Sequence, residues 1–320
     1  MEPVYVVGCD RSGTTLLGAM LGGHSRTLCI PEAQFFHELV RLYYKSENPL
    51  DLAEVIKTIK AHWRFKIWEF DFSEDEIINE CDGVRELNDF IRVFINHYAS
   101  SLGKPGITYW IDHTPSNVRY AYTLSQVFPE SRFIHIVRDV RGVAASVMPL
   151  PWGPNDVLEA SKIWKEQLAY GLVSEMTLGP EKVIRVKFEN LLEKPLEVIE
   201  KLCSWLRIDF DPAMLDGLGY RMPRFNHNSH RLVSQKPDTR RAYAWQTSLS
   251  GREIEIIEAE TCDLLMLLGY EQQYGFPARS RTTGEKYSMI MKSFLTKTFV
   301  NKIKFSFHRK RAIKRQAIVK

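Results

Sequence analysis

Short runs of β-branched and aromatic residues alternate along this chain with stretches whose apolar positions recur at helical spacing. The runs are Val4–Val7, which ends at Gly8, then Thr27–Ile30, Ile107–Ile111, Phe133–Val137 and Val183–Phe188. They are nearly continuous in apolar character, as strands buried on both faces are. Strand followed by helix followed by strand predicts an α/β fold: a parallel sheet of about five strands with helices on both faces. Between Phe35 and Ala99 the pattern is helical and charged, so a helical insertion is expected near 35–105. Pro149-Leu-Pro-Trp-Gly-Pro154 reads as a rigid loop, and residues 221–245 as a long polar loop of the kind that carries function. Glu253–Leu268, followed by Gly269, predicts a helix.

Composition adds one contrast. The 320 residues carry a net charge of +4, but Lys286–Lys320 hold 11 Lys and Arg and no acid. That leaves 32 basic against 39 acidic residues in the first 285, a net of −7. The chain therefore divides into an α/β domain over 1–285 and a basic tail over 286–320. In the tail, Met291, Leu295, Phe299, Ile303 and Phe307 recur every four positions among lysines, and His308-Arg-Lys-Arg311 follows. A basic amphipathic helix of this kind fits a membrane surface; packing on the acidic body or against a second copy are the competing expectations. No recognisable nucleic-acid module accompanies the charge, so no nucleic-acid partner is expected. No run approaches the roughly 20 apolar residues of a membrane span, and the start lacks a signal-peptide pattern. Cys9, Cys29, Cys81, Cys203 and Cys262 are scattered and never in C-x-x-C spacing. That argues against a disulfide framework or a zinc site, and for a cytoplasmic location, peripheral to a membrane if the tail binds one.

The chemistry concentrates at the end of the first run, in Val6-Val7-Gly8-Cys9-Asp10-Arg11-Ser12-Gly13-Thr14-Thr15-Leu16-Leu17. A strand entering a glycine loop and then a helix aims backbone N–H groups at one point, at the positive end of the helix dipole. Gly8 and Gly13 have the spacing of the nucleoside-triphosphate loop, and Thr15 stands at its hydroxyl position. Thr14 replaces the lysine of that motif, and the positive charge has moved to Arg11. The loop is suited to a phosphate-like anion rather than a triphosphate with magnesium, and no metal is expected.

Arg11-Ser12-Gly13-Thr14-Thr15 resembles the 5′-phosphosulfate loop of sulfotransferases that use 3′-phosphoadenosine 5′-phosphosulfate (PAPS), in their bacterial-type and tyrosylprotein branch. Phe133-Ile-His-Ile-Val-Arg138, with Ser146 eight residues on, resembles that family's 3′-phosphate site. A guanidinium fork and a hydroxyl are sound partners for a phosphate monoester. Val186-Lys-Phe188-Glu189-Asn190-Leu191 is similar to the family segment whose aromatic residue lies near the adenine, with Phe188 in place of tyrosine. The resemblance also implies that Lys236, Arg240 and Arg241 close over the nucleotide, with Ser229 or Ser234 as a hydroxyl contact.

Sulfuryl transfer needs a base for the acceptor proton, positive charge on the SO₃ group and stabilisation of the departing phosphate. The resemblance gives Arg11 the last two roles in part. It offers two candidate bases: Glu32 in Ile30-Pro31-Glu32-Ala33-Gln34-Phe35-Phe36, and His113 in Asp112-His113-Thr114-Pro115. Glu32 is ranked first and His113 as assisting; His113 stands where many relatives carry lysine. The implied activity is sulfuryl transfer from PAPS to a hydroxyl of a carbohydrate, lipid-linked molecule, protein tyrosine or small molecule. The alternative is a P-loop kinase or a non-catalytic nucleotide-binding protein. Neither the acceptor nor the oligomeric state is written in the sequence.

Overall fold

Five strands, β1 (Glu2–Gly8), β2 (Thr27–Ile30), β3 (Tyr109–Asp112), β4 (Arg132–Val137) and β5 (Val183–Lys187), form one parallel sheet in the order β2-β3-β1-β4-β5. This is a computed structural model, and it describes residues 1–46, 50–150, 152–223 and 238–296. Each apolar run holds a strand, though β3 starts two residues after Ile107 and ends one beyond Ile111, at Asp112. The last stops one residue early because Phe188 opens a helix instead of closing the strand. From β1 the chain runs out to the edge strand β2, returns through β3, and then crosses to β4 on the other side of β1. That reversal opens a crevice at the carboxyl ends of the central strands, where open α/β sheets bind ligands.

Helices α1 (Thr14–Leu21), α2 (Phe35–Tyr43), α3 (Leu52–Ala61), α4 (Glu74–Glu80) and α5 (Leu87–Ser101) precede β3. Helices α6 (Ala121–Val127), α7 (Val140–Val147) and α8 (Val157–Leu178) flank β4. After β5 come α9 (Phe188–Glu193), α10 (Pro195–Leu206), α11 (Trp245–Ser248), α12 (Gly251–Leu267) and α13 (Thr283–Leu295).

Alternation along β1 divides the core. Tyr5 and Val7 face one side with Trp110 and Phe133, while Val4 and Val6 face the other with Ile111, Ile134, α1 and α10. The insertion α2–α5 has no separate core. Phe35, Phe65, Trp68, Phe90 and Phe94 join the same cluster as Tyr5, Trp110 and Phe133, so the sheet and the insertion bury each other. Each such side chain contributes on the order of 1.5–3 kcal/mol when buried. A third cluster joins α7, α8 and α12 through Val143, Trp164, Ile257 and Leu265.

One buried polar clamp ties α12 and the turn after it to the start of α7. Arg141 donates to Asp139 Oδ2 at 2.6 Å and to Glu258 Oε1 at 2.5 Å. Glu258 also accepts from the backbone N–H groups of Gln273, Tyr274 and Gly275. The turn after α12 is thereby held against the start of α7.

Among the described residues no helix is long and apolar enough to cross a membrane. The first part of the basic tail belongs to α13, which is tied to the body: Arg252 pairs with Glu285 at 2.8 Å, and Met289 packs on the third cluster. Residues 297–320, with most of the expected amphipathic stripe, lie outside the described residues.

Candidate active site

β1 ends at Gly8 with φ 149°, and a Cβ there would stand 2.2 Å from the carbonyl oxygen of Ile136 on β4. Only glycine lets the chain leave the sheet at that point. Arg11 then adopts φ 68°, a left-handed conformation unusual for a side chain of its size, and Gly13 caps α1 at φ 97°. A Cβ on Gly13 would lie 2.4 Å from the Phe188 ring, so Phe188 packs directly against the loop. The first helical hydrogen bond runs from Leu17 N to Gly13 O at 3.0 Å. The amides of Gly13, Thr14, Thr15 and Leu16 therefore stay free for a ligand, and no acid in the first turn of α1 offsets the dipole. From outside, the Asp10 amide donates to Gln167 Oε1 on α8 at 2.9 Å and anchors the loop.

The strand-end pair meets this loop. Arg138 donates through Nη1 to Arg11 O at 2.8 Å and through Nη2 to Arg241 O at 3.0 Å, and its guanidinium lies 4.3 Å above the Phe188 ring. Ser146 accepts from Arg11 Nε at 3.3 Å. Arg11, Ser12, Gly13, Thr14, Thr15, Arg138, Ser146, Phe188 and Arg241 are thus brought into one group at the ends of β1 and β4. Burial pushes the Arg138 guanidinium down to about 10; Glu189 opposes that shift and nearby Arg11 adds to it. Burial also lowers Arg11 and Arg241. Among the described residues, three buried polar atoms here have no hydrogen-bond partner: Ser12 Oγ, Arg138 Nε and Arg241 Nη2. Buried donors without acceptors are costly, on the order of 1–3 kcal/mol each, and an anion in the cradle would satisfy them. Arg240, by contrast, reaches solvent and pairs with Asp238 at 3.0 Å. Lys236, Ser229 and Ser234 lie outside the described residues.

Glu32 follows β2 on the same edge of the sheet. Its carboxylate accepts from Arg64 Nη2 at 3.1 Å, and Arg64 is itself held by Gln34 Oε1 at 3.2 Å and by the Trp63 ring at 4.3 Å. Burial raises the Asp10 carboxyl, and the negative charge of Glu32 adds to that rise, so the two carboxyls and Arg11 sense one another. His113 is placed differently. Its ring is 1% exposed, sits edge-on to Tyr220 at 4.9 Å and presses on α1 at Gly18. Neither ring nitrogen has a partner among the described residues, and burial pushes the imidazole down to about 4.

The model of the sulfotransferase family matches residues 3–212. The chain belongs to that family. Over 323 residues it is 24% identical to the nodulation protein NoeE of Sinorhizobium fredii, covering 91% of this chain and 72% of that one. It is 20% identical to a protein-tyrosine sulfotransferase of Drosophila melanogaster, over 85% of this chain and 52% of the relative. Two solved structures share the fold. The sulfotransferase domain of the Synechococcus PCC 7002 olefin synthase has a TM-score of 0.59 at 21% identity, covering 84% of this chain and 95% of that one. The sulfotransferase domain of the curacin biosynthetic pathway has a TM-score of 0.56 at 20% identity, covering 85% and 98%.

Sequence reasoning about this sulfotransferase passed over Gln167, which holds the loop, and Arg64, which holds Glu32. It also passed over the hydrogen-bonded set His37, Asn117 and Asp112 beside β3. Gln167, Arg64, His37 and Asn117 lie in no local motif, and Asp112 stood in the His113 segment without a role of its own. Gln167 bonds Asp10 across 157 positions, and only the packing of α8 brings the two together.

Proposed function

We propose that this sulfotransferase takes PAPS as donor and passes its sulfuryl group to a hydroxyl acceptor, releasing 3′-phosphoadenosine 5′-phosphate (PAP). The observation that carries this reading is the trio of buried groups with no partner among the described residues, Ser12 Oγ, Arg138 Nε and Arg241 Nη2, around an α1 N-terminus with no acid of its own. The amides and hydroxyls of Ser12–Thr15 would take the 5′-phosphate, Arg138, Ser146 and Arg241 the 3′-phosphate, and the Phe188 face the adenine. In the transfer, the acceptor oxygen forms a bond to sulfur as the bond between sulfur and the bridging phosphate oxygen breaks. The hydroxyl proton passes to Glu32, and Arg11 offsets charge on the SO₃ group and the departing phosphate. Arg64 keeps Glu32 in place for that step. His113, enclosed beneath α1, is the alternative base. A kinase-type reaction would lack the cation that Thr14 replaces.

The basic tail, in this reading, brings the enzyme to an anionic membrane surface. Titration calorimetry with PAP and with ATP·Mg tests the donor assignment. PAP should bind without metal and resist competition by ATP·Mg; the reverse order of affinity would move the protein to nucleoside-triphosphate chemistry. Transfer of label from radiolabelled PAPS to a panel of desulfated metabolites then reads out the acceptor.

A further inference from the structure

Beside Glu32, at the same carboxyl edge of the sheet, three polar side chains form a directed chain. Asp112 is 1% exposed, and its Oδ1 accepts from Thr114 N at 2.9 Å and Thr114 Oγ1 at 2.6 Å. Its Oδ2 accepts from Asn117 Nδ2 at 3.0 Å. An amide nitrogen only donates, so the Asn117 oxygen is the atom that meets His37 Nε2. Nε2 must then carry the hydrogen, and Nδ1 is left with its lone pair. Among the described residues Nδ1 has no hydrogen-bond partner. Burial lowers the imidazole, against the Asn117 hydrogen bond and the Asp112 charge.

The place of this lone pair gives it a use. His37 lies on the first turn of α2, five residues beyond Glu32, and its ring packs at 4.3 Å on Tyr120, which is 44% exposed. Thr114 accepts from the Ala33 amide at 3.1 Å, which ties the segment carrying Glu32 to the end of β3. His113, by contrast, is closed off beneath α1.

We propose that His37 orients the acceptor: its Nδ1 accepts a hydrogen bond from the acceptor's hydroxyl group, with Asn117 and Asp112 as the positioning residues that fix the tautomer. The inference rests on the proposed hydroxyl acceptor and names its second protein contact. A neutral base held by an amide relay favours a hydroxyl-bearing, uncharged group at this spot over an ammonium or carboxylate.

Nitrogen NMR of the full-length chain labelled in its histidines tests this, with His37 assigned by its loss in His37→Gln. The expected signature at pH 7 is a single neutral tautomer with hydrogen on Nε2, replaced by a mixture in Asn117→Ala. With PAP present, 4-nitrophenol as hydroxyl probe should move the Nδ1 resonance in the wild type, and at least threefold less in Asn117→Ala. An Nδ1–H tautomer, a charged ring at pH 7, or an Nδ1 unmoved by 4-nitrophenol at its solubility limit would each overturn the proposal. Should Asn117→Ala fail to fold, the wild-type tautomer and its response to the probe decide alone. Failure of PAP to bind would sink the donor assignment instead, because the tautomer is read without nucleotide.

Discussion

Arg138 links the two halves of the proposed nucleotide cradle, since one guanidinium touches the Arg11 carbonyl, the Arg241 carbonyl and the Phe188 face. Its Nε, without a partner among the described residues, is the donor proposed for a phosphate. A charge-assisted hydrogen bond contributes about 1.5–3 kcal/mol, so Arg138→Ala should lose roughly 10- to 150-fold of the preference for PAP over adenosine 5′-phosphate. Calorimetry that finds the preference unchanged removes Arg138 from the 3′-phosphate site. Glu32 is proposed for a different step, as the base. Glu32→Gln keeps the shape and the contact with Arg64 while removing the base, so PAP affinity should hold and turnover fall by about two to four orders of magnitude. If Glu32→Gln stays active and His113→Leu is dead, the proton goes to the histidine. Both sets of side chains could be nominated from sequence because they sit within a few residues of a strand end. What could not be read there is their support. Arg64 and Gln167 reach the site only through tertiary packing, and nothing local marks a helix-borne glutamine as a loop anchor.

At the level of elements, the strands were legible because each is a run of β-branched and aromatic residues whose two faces are both covered, and no competing period interferes. The helices on the far side were harder. Helix α8 spans Val157–Leu178 and buries Trp164, Gln167 and Ser174 on one face, a mixture of polar and apolar positions with little amphipathic signature. The order of the strands was also hidden, because pairing across the sheet depends on long crossovers rather than on turns. The junction between loop and helix is the most exacting part of the fold. Gly13→Ala would place a methyl at φ 97° and 2.4 Å from the Phe188 ring, so either the loop or the ring must move. The variant should lose PAP binding at least tenfold while the circular dichroism of the sheet and helices stays unchanged. Normal affinity in Gly13→Ala would mean that Phe188 yields freely and does not brace the cradle.

The molecule as a whole joins a body and a tail of opposite charge, and pH and salt act on them separately. In the body, His113 titrates near 6.5 when unfolded but is held down to about 4 by burial in the fold. The unfolded chain therefore binds the proton first, and the stability His113 contributes above pH 6.5 is lost as pH falls toward 4, on the order of 3 kcal/mol. Urea unfolding of His113→Leu should show a shallower decline than the wild type across that window; parallel curves would place the acid sensitivity elsewhere. In the tail, residues 297–320 hold nine Lys and Arg and no acid, and their removal turns the net charge from +4 to −5. The cut belongs after Thr296, because Glu285 pairs with Arg252 and Met289 packs on the body, so a shorter chain would disturb the fold itself. Each cation near an anionic lipid surface contributes about 1 kcal/mol, screened over about 10 Å at 0.1 M salt. The full chain should therefore float with phosphatidylserine vesicles at low salt and release at high salt, whereas the chain ending at Thr296 stays in solution with its PAP affinity intact. A full chain that remains in solution at low salt, or a cut chain that still floats, assigns the basic tail to something other than a membrane surface.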